Sequence, residues 1–405
     1  MLNHTDKPFC VAAVRAMGNM SFIDRNIVLL VNNGAGKGLV GAINAHRDDT
    51  AAVQVAIEVI GNFASLSLED DDDSDDGGGQ DEVSEFDVTT VFQQLYADKA
   101  PETVIEVIAA EGAEVSSVAS GLDALSNVAG ADVFDEKMQQ CLLEAGVVKV
   151  ACTAIVTYDW DEDLNLRAVS LIASLSYNDL CVEEVVKQDG MTCLLSSLEA
   201  HADCDDLVEQ GITALGTLAT KSKVAQETLI EKNGIQFIVK AMMDHLDNDD
   251  IATAAVAALT RMTADDEVSA KIGEVGMHEI LTAIEVKQNN AEIGMLTELY
   301  VLVGHLAFER RNLSGIVQCG GVAKVINGIC AFPDNRELVR RGVQTLDNIA
   351  MGSAEHTQIV DQEGGKDCIE IVQETYENDE EILQSCRSAL LSMSALQTGS
   401  ASQWK

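Results

Sequence analysis

Apolar positions recur along this chain at helical spacing, and one seven-residue phrase returns at a nearly fixed interval. The phrase is two variable residues followed by apolar, small, polar, apolar and small positions. Its polar fifth residue is Asn19 in RAMGNMS, Asn62 in EVIGNFA, Asn127 in DALSNVA, Ser174 in SLIASLS and Thr217 in TALGTLA. It continues as Arg261 in AALTRMT, His305 in VLVGHLA, Asn348 in QTLDNIA and Ser392 in SALLSMS. The fourth position is small in all but two copies, where Asp347 and Leu391 stand. Successive intervals are 43, 65, 47, 43, 44, 44, 43 and 44 residues. A period of about 40–47 residues with helical patterning predicts stacked helical hairpins or triplets, a solenoid. The long interval contains an acidic insertion.

Within one period the texture predicts a short amphipathic helix, a glycine-bearing turn, a second apolar helix, a polar turn and a longer third helix that carries the landmark phrase. The turn glycines fall 27–29 residues before their landmarks, at Gly34, Gly146, Gly190, Gly234, Gly276, Gly320 with Gly321, and Gly364 with Gly365. Only the unit ending at Asn127 lacks one, with Asp98 and Lys99 in its place. Glycine suits a sharp reversal through a left-handed residue. Asp and Asn cluster before the third helices, at Asp48 and Asp49, Asp203 to Asp206, Asp247 to Asp250, and Asn378 with Asp379, where they cap orphan amides. Pro8 and Pro333 open third helices and Pro101 a second, where the missing amide costs little.

The domain reading is a partial first repeat at 1–21, a repeat at 22–67, an acidic disordered loop at 68–85, seven further repeats over 86–395 and a flexible tail at 396–405. The chain begins inside a repeat, which leaves Val11, Val14 and Met17 without a capping unit, so the expectation is a fragment, further residues before Met1, or a partner that covers that end. The loop, LEDDDDSDDGGGQDEVSE, is too charged and glycine-rich to collapse. Ser74 lies within it, and a phosphate there would deepen the negative field.

Composition supports helix on helix. Of 405 residues, 47% are apolar and only 4% aromatic, with three prolines, which argues against a sheet protein. The net charge is −41, from 67 acidic against 26 basic residues. Such a field repels nucleic acid and anionic lipid and attracts basic segments. Ten cysteines show no CxxC pair and sit among apolar neighbours, as small core residues in a reducing compartment do. The amino terminus lacks a basic-then-apolar signal, and no apolar run approaches the roughly 18 residues of a membrane span. A cytoplasmic protein, or one shared with the nucleus, is expected, with no membrane insertion.

No motif points to catalysis, and neither a cofactor nor a metal is expected. Asn32–Leu39, NNGAGKGL, lacks the first glycine and the final Ser or Thr of a phosphate loop. His46, His201 and His245 each stand 16 residues before a landmark, which places them at the carboxyl ends of second helices rather than around one ion. His201 and Cys204 are of ligand type but lack a matching second pair.

The stretch NIVLLVNNGAGKGLVGAINAHRDDTAAVQVAIEVIGNFAS, 26–65, resembles an armadillo repeat over a full unit, and 234–263 and 320–352 do so nearly as well. The resemblance runs through almost the whole chain. It implies an all-α, right-handed superhelical solenoid of three-helix repeats, whose third helices line a concave groove for extended peptides. There the landmark asparagine is suited to bond a ligand backbone, because its amide both donates and accepts. Asn19, Asn62, Asn127 and Asn348 match; Ser174, Thr217, Arg261, His305 and Ser392 depart from the pattern. Importin-like members also carry Trp four residues earlier, where this chain has Arg15, Glu58, Asp123 and Gln344, so a standard nuclear-signal receptor is not expected.

The resulting expectation is a non-catalytic scaffold or adaptor that holds a protein partner, with basic segments favoured. The polar contacts expected are Glu58, Asn62, Asp123, Asn127, Ser170, Ser174, Thr213 and Thr217, with Arg261, His305, Gln344 and Asn348 further along. Arg261, His305, Arg310, Arg311, Arg340 and Arg341 make the carboxyl half less acidic, which would suit a different, acidic ligand. Competing classes are a regulator of small GTPases and a cytoskeletal or ciliary structural component.

Overall fold

The computed structural model describes residues 7–66, 84–131, 133 and 135–397. Residues 68–83 of the acidic loop, Ser74 among them, and the tail from 398 lie outside the described residues. Among those described there are 24 helices and no strand. Ser84, at the loop's end, starts the next helix through a capping box in which its hydroxyl accepts from the Asp87 amide and Asp87 bonds back.

First helices of the repeats are α2 (Asp24–Asn32), α5 (Glu85–Ala97), α8 (Glu136–Ala145), α11 (Asp179–Lys187), α14 (Lys223–Glu231), α19 (Arg310–Gln318) and α22 (Ala354–Gln362). Second helices are α3 (Ala35–Ala45), α6 (Ala100–Ile108), α9 (Val147–Thr157), α12 (Gly190–Ala200), α15 (Gly234–Asp244), α20 (Gly321–Ala331) and α23 (Gly365–Thr375). Third helices are α1 (Lys7–Met20), α4 (Thr50–Ala64), α7 (Val115–Gly130), α10 (Glu162–Ser176), α13 (Asp205–Lys221), α16 (Asp249–Met262), α18 (Ile293–Leu306), α21 (Arg336–Met351) and α24 (Glu380–Gln397). One repeat differs. Its first two helices are fused into α17 (Asp266–Asn289).

The turn between first and second helices is set by one residue. Gly34, Lys99, Gly146, Asp189, Asn233, Gly320 and Gly364 all have positive φ, and each stands 28 residues before its landmark. Gly190 and Gly234 are therefore not the turn residues themselves. Each is the first residue of its helix, behind a left-handed Asp189 or Asn233. At Gly190 an added Cβ would lie 2.6 Å from a Val185 methyl and 2.8 Å from the Val185 carbonyl oxygen, so that position has no room for a side chain. The fused repeat corrects the expected turn at Gly276. The left-handed slot there falls on Met277, a long buried residue for which that conformation costs about 1–2 kcal/mol. Gly276 instead lets the helix approach Val239, whose methyl would meet a Cβ at 2.7 Å.

Three of the four predicted cap clusters hold their third helices. Asp49 accepts from the Ala52 amide at 3.2 Å, Asn248 from Asp250 at 3.1 Å and Asp379 from Ile382 at 3.2 Å, each cap contributing about 1 kcal/mol. His46, His201 and His245 are the carboxyl-terminal caps of α3, α12 and α15. The His201 ring also bonds the Asp159 carbonyl at 2.9 Å.

The chain divides into two compact units, Met1–Ala214 and Leu215–Lys405. In the first, third helices stack in the order α1, α4, α7, α10, and second helices in the order α3, α6, α9, α12. In the second, α16, α18, α21 and α24 stack as third helices, with α17, α20 and α23 beside them. The core lies between layers. On α4, Val53, Ala56, Ile57, Ile60 and Phe63 are all buried, so the apolar stripe that repeats every three or four residues is hidden on both flanks.

Candidate functional site

The landmark phrase explains how third helices meet. Its small position lies at the helix crossing: a Cβ on Gly61 would come within 3.2 Å of Ala124 Cβ and 3.3 Å of its Cα. In the second unit a Cβ on Gly216 would lie 2.7 Å from Ala258 Cβ, and one on Gly304 3.1 Å from Thr345 Oγ1. The polar position then bonds across this close contact. Asn127 donates from Nδ2 to the Gly61 carbonyl at 3.2 Å, and Asn348 to the Gly304 carbonyl at 3.0 Å. Asn62 makes the same link through a relay, donating to Ser21 Oγ at 2.9 Å, which in turn donates to the Gly18 carbonyl at 2.8 Å. One N–H of each asparagine is thus engaged by the preceding repeat. Among the described residues each of these amides has its oxygen and a second N–H left for a ligand. Asn19, on α1, is exposed.

In the first unit α4, α7 and α10 wall an open groove of about 720 Å³. It brings together Glu58, Asn62, Asp123, Asn127 and Ser170, five of the residues expected from the sequence. Glu58 is exposed and accepts from Gln54 Nε2 at 2.9 Å and from Ser120 Oγ at 3.4 Å. No ion pair to it is formed among the described residues. Asp123 is paired with Arg167, whose guanidinium also holds Asp163 in a fork at 3.0 and 3.2 Å. Ser170 donates to the Leu166 carbonyl at 2.8 Å and contacts Gln210 Oε1. Ser174 faces Ser126, with hydroxyls 3.3 Å apart.

The residues expected from the sequence form two columns, at the landmark and four residues before it. A third column, not among those expected, stands seven residues before the landmark at Ser120, Arg167 and Gln210, and it holds the groove's one lining cation. Residues four and seven apart on a helix share a face, so the signal was present in the spacing.

On α13, Thr213 is half-buried and Thr217 only 9% exposed. Thr217 therefore offers a partner little surface. In the second unit Arg261 and His305 are exposed, and His305 Nδ1 lies 3.3 Å from Thr263 Oγ1 with its ring beside Phe308. Gln344 is half-buried. Arg310 is exposed as well, whereas three further arginines of this half are held in ion pairs. Arg311 is held by Glu309 at 3.0 Å and Glu267 at 3.3 Å, Arg340 by Glu337 and Glu381, and Arg341 by Glu337 at 2.8 Å. These pairs pull the Glu309 and Glu337 carboxyls below their ordinary range. Among the described residues no group of three or more His, Cys, Asp and Glu side chains could hold a metal ion. No single described helix is long and apolar enough to cross a membrane.

No protein-family model and no curated protein matches the chain. Solved structures do. The crystal structure of an engineered protein from the Northeast Structural Genomics Consortium is 16% identical, with a TM-score of 0.65 over 97% of each chain. A chain from work on a phosphorylation switch controlling the interaction between cadherin and beta-catenin is 12% identical, with a TM-score of 0.67 over 98% of this chain and 74% of the other. The fold is an all-α, armadillo-type solenoid of three-helix repeats.

Proposed function

We propose that the chain is a non-catalytic scaffold that holds a protein partner, and that a basic segment of the partner lies across α4, α7 and α10. One observation carries this reading: an exposed Glu58 carboxylate without a cation, in a long open groove floored by asparagine amides. A Lys or Arg of the partner would pair with Glu58, and its backbone would bond the free oxygen and N–H of Asn62 and Asn127. The net charge of −41 favours approach of a basic segment from a distance. The groove's polar groups bond to neighbouring helices rather than forming a relay between a nucleophile and a base, which supports a holding role. That a structural neighbour comes from work on an interaction between two proteins agrees with it.

The test is affinity purification from native cells with the wild-type chain and a Glu58→Lys/Asp123→Lys variant, beside titration of both with a fluorescent Lys/Arg-rich peptide. Expected is loss of a subset of partners and a peptide affinity at least about tenfold weaker. Unchanged recovery of every partner would remove the assignment of this groove.

A further inference from the structure

Cys330 and Cys368 stand on α20 and α23, the second helices of two neighbouring repeats, which pack directly on each other. Cys330 is among the neighbours that raise the Cys368 thiol. Both line one small apolar cavity of about 50 Å³ with Ile329, Val339, Val372 and Tyr376. The two sulfurs differ in access. Cys330 is exposed, whereas Cys368 is 5% exposed, and burial pushes its thiol up to about 12. Cys386 on α24 also bears on Cys368, but it is fully buried. On the packed helices α9 and α12, Cys193 likewise raises the Cys152 thiol, yet neither of those residues is exposed.

We propose that Cys330 and Cys368 form a dithiol site that a hydroperoxide converts to a disulfide across a repeat boundary. The Cys330 thiolate attacks the distal oxygen of the hydroperoxide, the O–O bond breaks, and water or an alcohol leaves with the thiol's proton. Cys330 is then a sulfenic acid. The Cys368 sulfur attacks the Cys330 sulfur, the S–S bond forms, the S–O bond breaks, and hydroxide departs as water with the Cys368 proton. Two thiols lose two electrons in all, and the hydroperoxide takes them up. The exposed thiol meets the oxidant and the buried one resolves it, a division that follows from access and contact. The product ties α20 to α23, so two packed repeats gain a covalent cross-link besides their hydrogen bonds and ion pairs.

The experiment treats the reduced full-length chain with one equivalent of hydrogen peroxide, blocks free thiols with an alkylating reagent under native conditions, and maps non-reduced peptides by mass spectrometry. Expected is a peptide pair joined through Cys330 and Cys368, formed before any other linkage, and a higher unfolding temperature that dithiothreitol reverses. In Cys368→Ser the oxidation should stop at a sulfenic acid on Cys330, trapped by a dimedone probe. Cys330→Ser, a change at an exposed position that leaves the core intact, should abolish the linked pair and leave Cys368 a free thiol. A linkage of Cys368 to Cys386, prior formation of Cys152–Cys193, or Cys330 oxidised with Cys368 still free in the wild-type chain would each overturn the proposal.

Discussion

At the scale of single residues, the sites that depart from ordinary backbone or burial rules carry the sharpest expectations. Asp189 and Asn233 tolerate the left-handed turn because a short polar side chain can bond locally, but Ala291 has no such help at φ 59°. It closes α17 by the double bond typical of a helix end, Glu292 N–H to the Lys287 carbonyl at 3.0 Å and Ala291 N–H to Gln288 at 3.2 Å. Replacing Ala291 by Gly should therefore stabilise the chain by about 0.5–1 kcal/mol, read as a higher urea midpoint. Asp347 occupies the small position of its landmark phrase, between α21 and α24. Its Oδ2 accepts from Ser388 at 3.2 Å, while its Oδ1 is buried without a partner. Burial raises its carboxyl above the ordinary range. A raised acid costs stability in its charged form, and that cost disappears as pH falls through the raised value toward 3.8. Asp347→Asn should thus gain about 1 kcal/mol at pH 7, and the gain should shrink in thermal melts repeated at progressively lower pH.

At the scale of elements, α17 shows what a missing turn requires. Its last turn carries Lys287, 1% exposed, paired with Glu292 and 3.4 Å from Asp249. Removing one partner of a fully buried pair costs about 3–5 kcal/mol. Glu292 is 35% exposed and Asp249 remains, so Glu292→Ala should cost about 2 kcal/mol in chemical unfolding, and Lys287→Met markedly less. The repeat period, the helix triplets and the caps were legible in the sequence, because each is a local choice repeated at fixed spacing. The fusion in α17 was legible only in hindsight of one position. Gly276 sits 29 residues before its landmark rather than 28, and that single step moves it from the turn slot to a packing slot. The groove was half legible. Carboxylates and asparagines could be placed on a helix face by counting, but the pairing of Asp123 with Arg167 joins residues 44 apart and depends on how neighbouring helices cross.

At the scale of the whole molecule, charge dominates. A chain of net charge −41 repels itself when compact, and exposed charges are screened beyond about 10 Å at 0.1 M salt. Its unfolding temperature should rise by about several degrees between 20 mM and 300 mM sodium chloride, measured by circular dichroism. Binding of a basic peptide to the α4–α10 groove should fall over the same range, since the attraction that guides it is screened too. The two trends separate the field of the molecule from the local pair at Glu58. If salt weakens binding in the Glu58→Lys variant as steeply as in the wild type, the long-range field carries the attraction. The unbroken α17 has a mechanical meaning as well. Wherever a left-handed residue separates two short rods, the junction is an elbow that yields when the repeat is strained; where Met277 occupies that slot, the rod runs through and resists. Under a pulling force, or in slow amide exchange near the ends of helices, this repeat should be the last of its unit to give way.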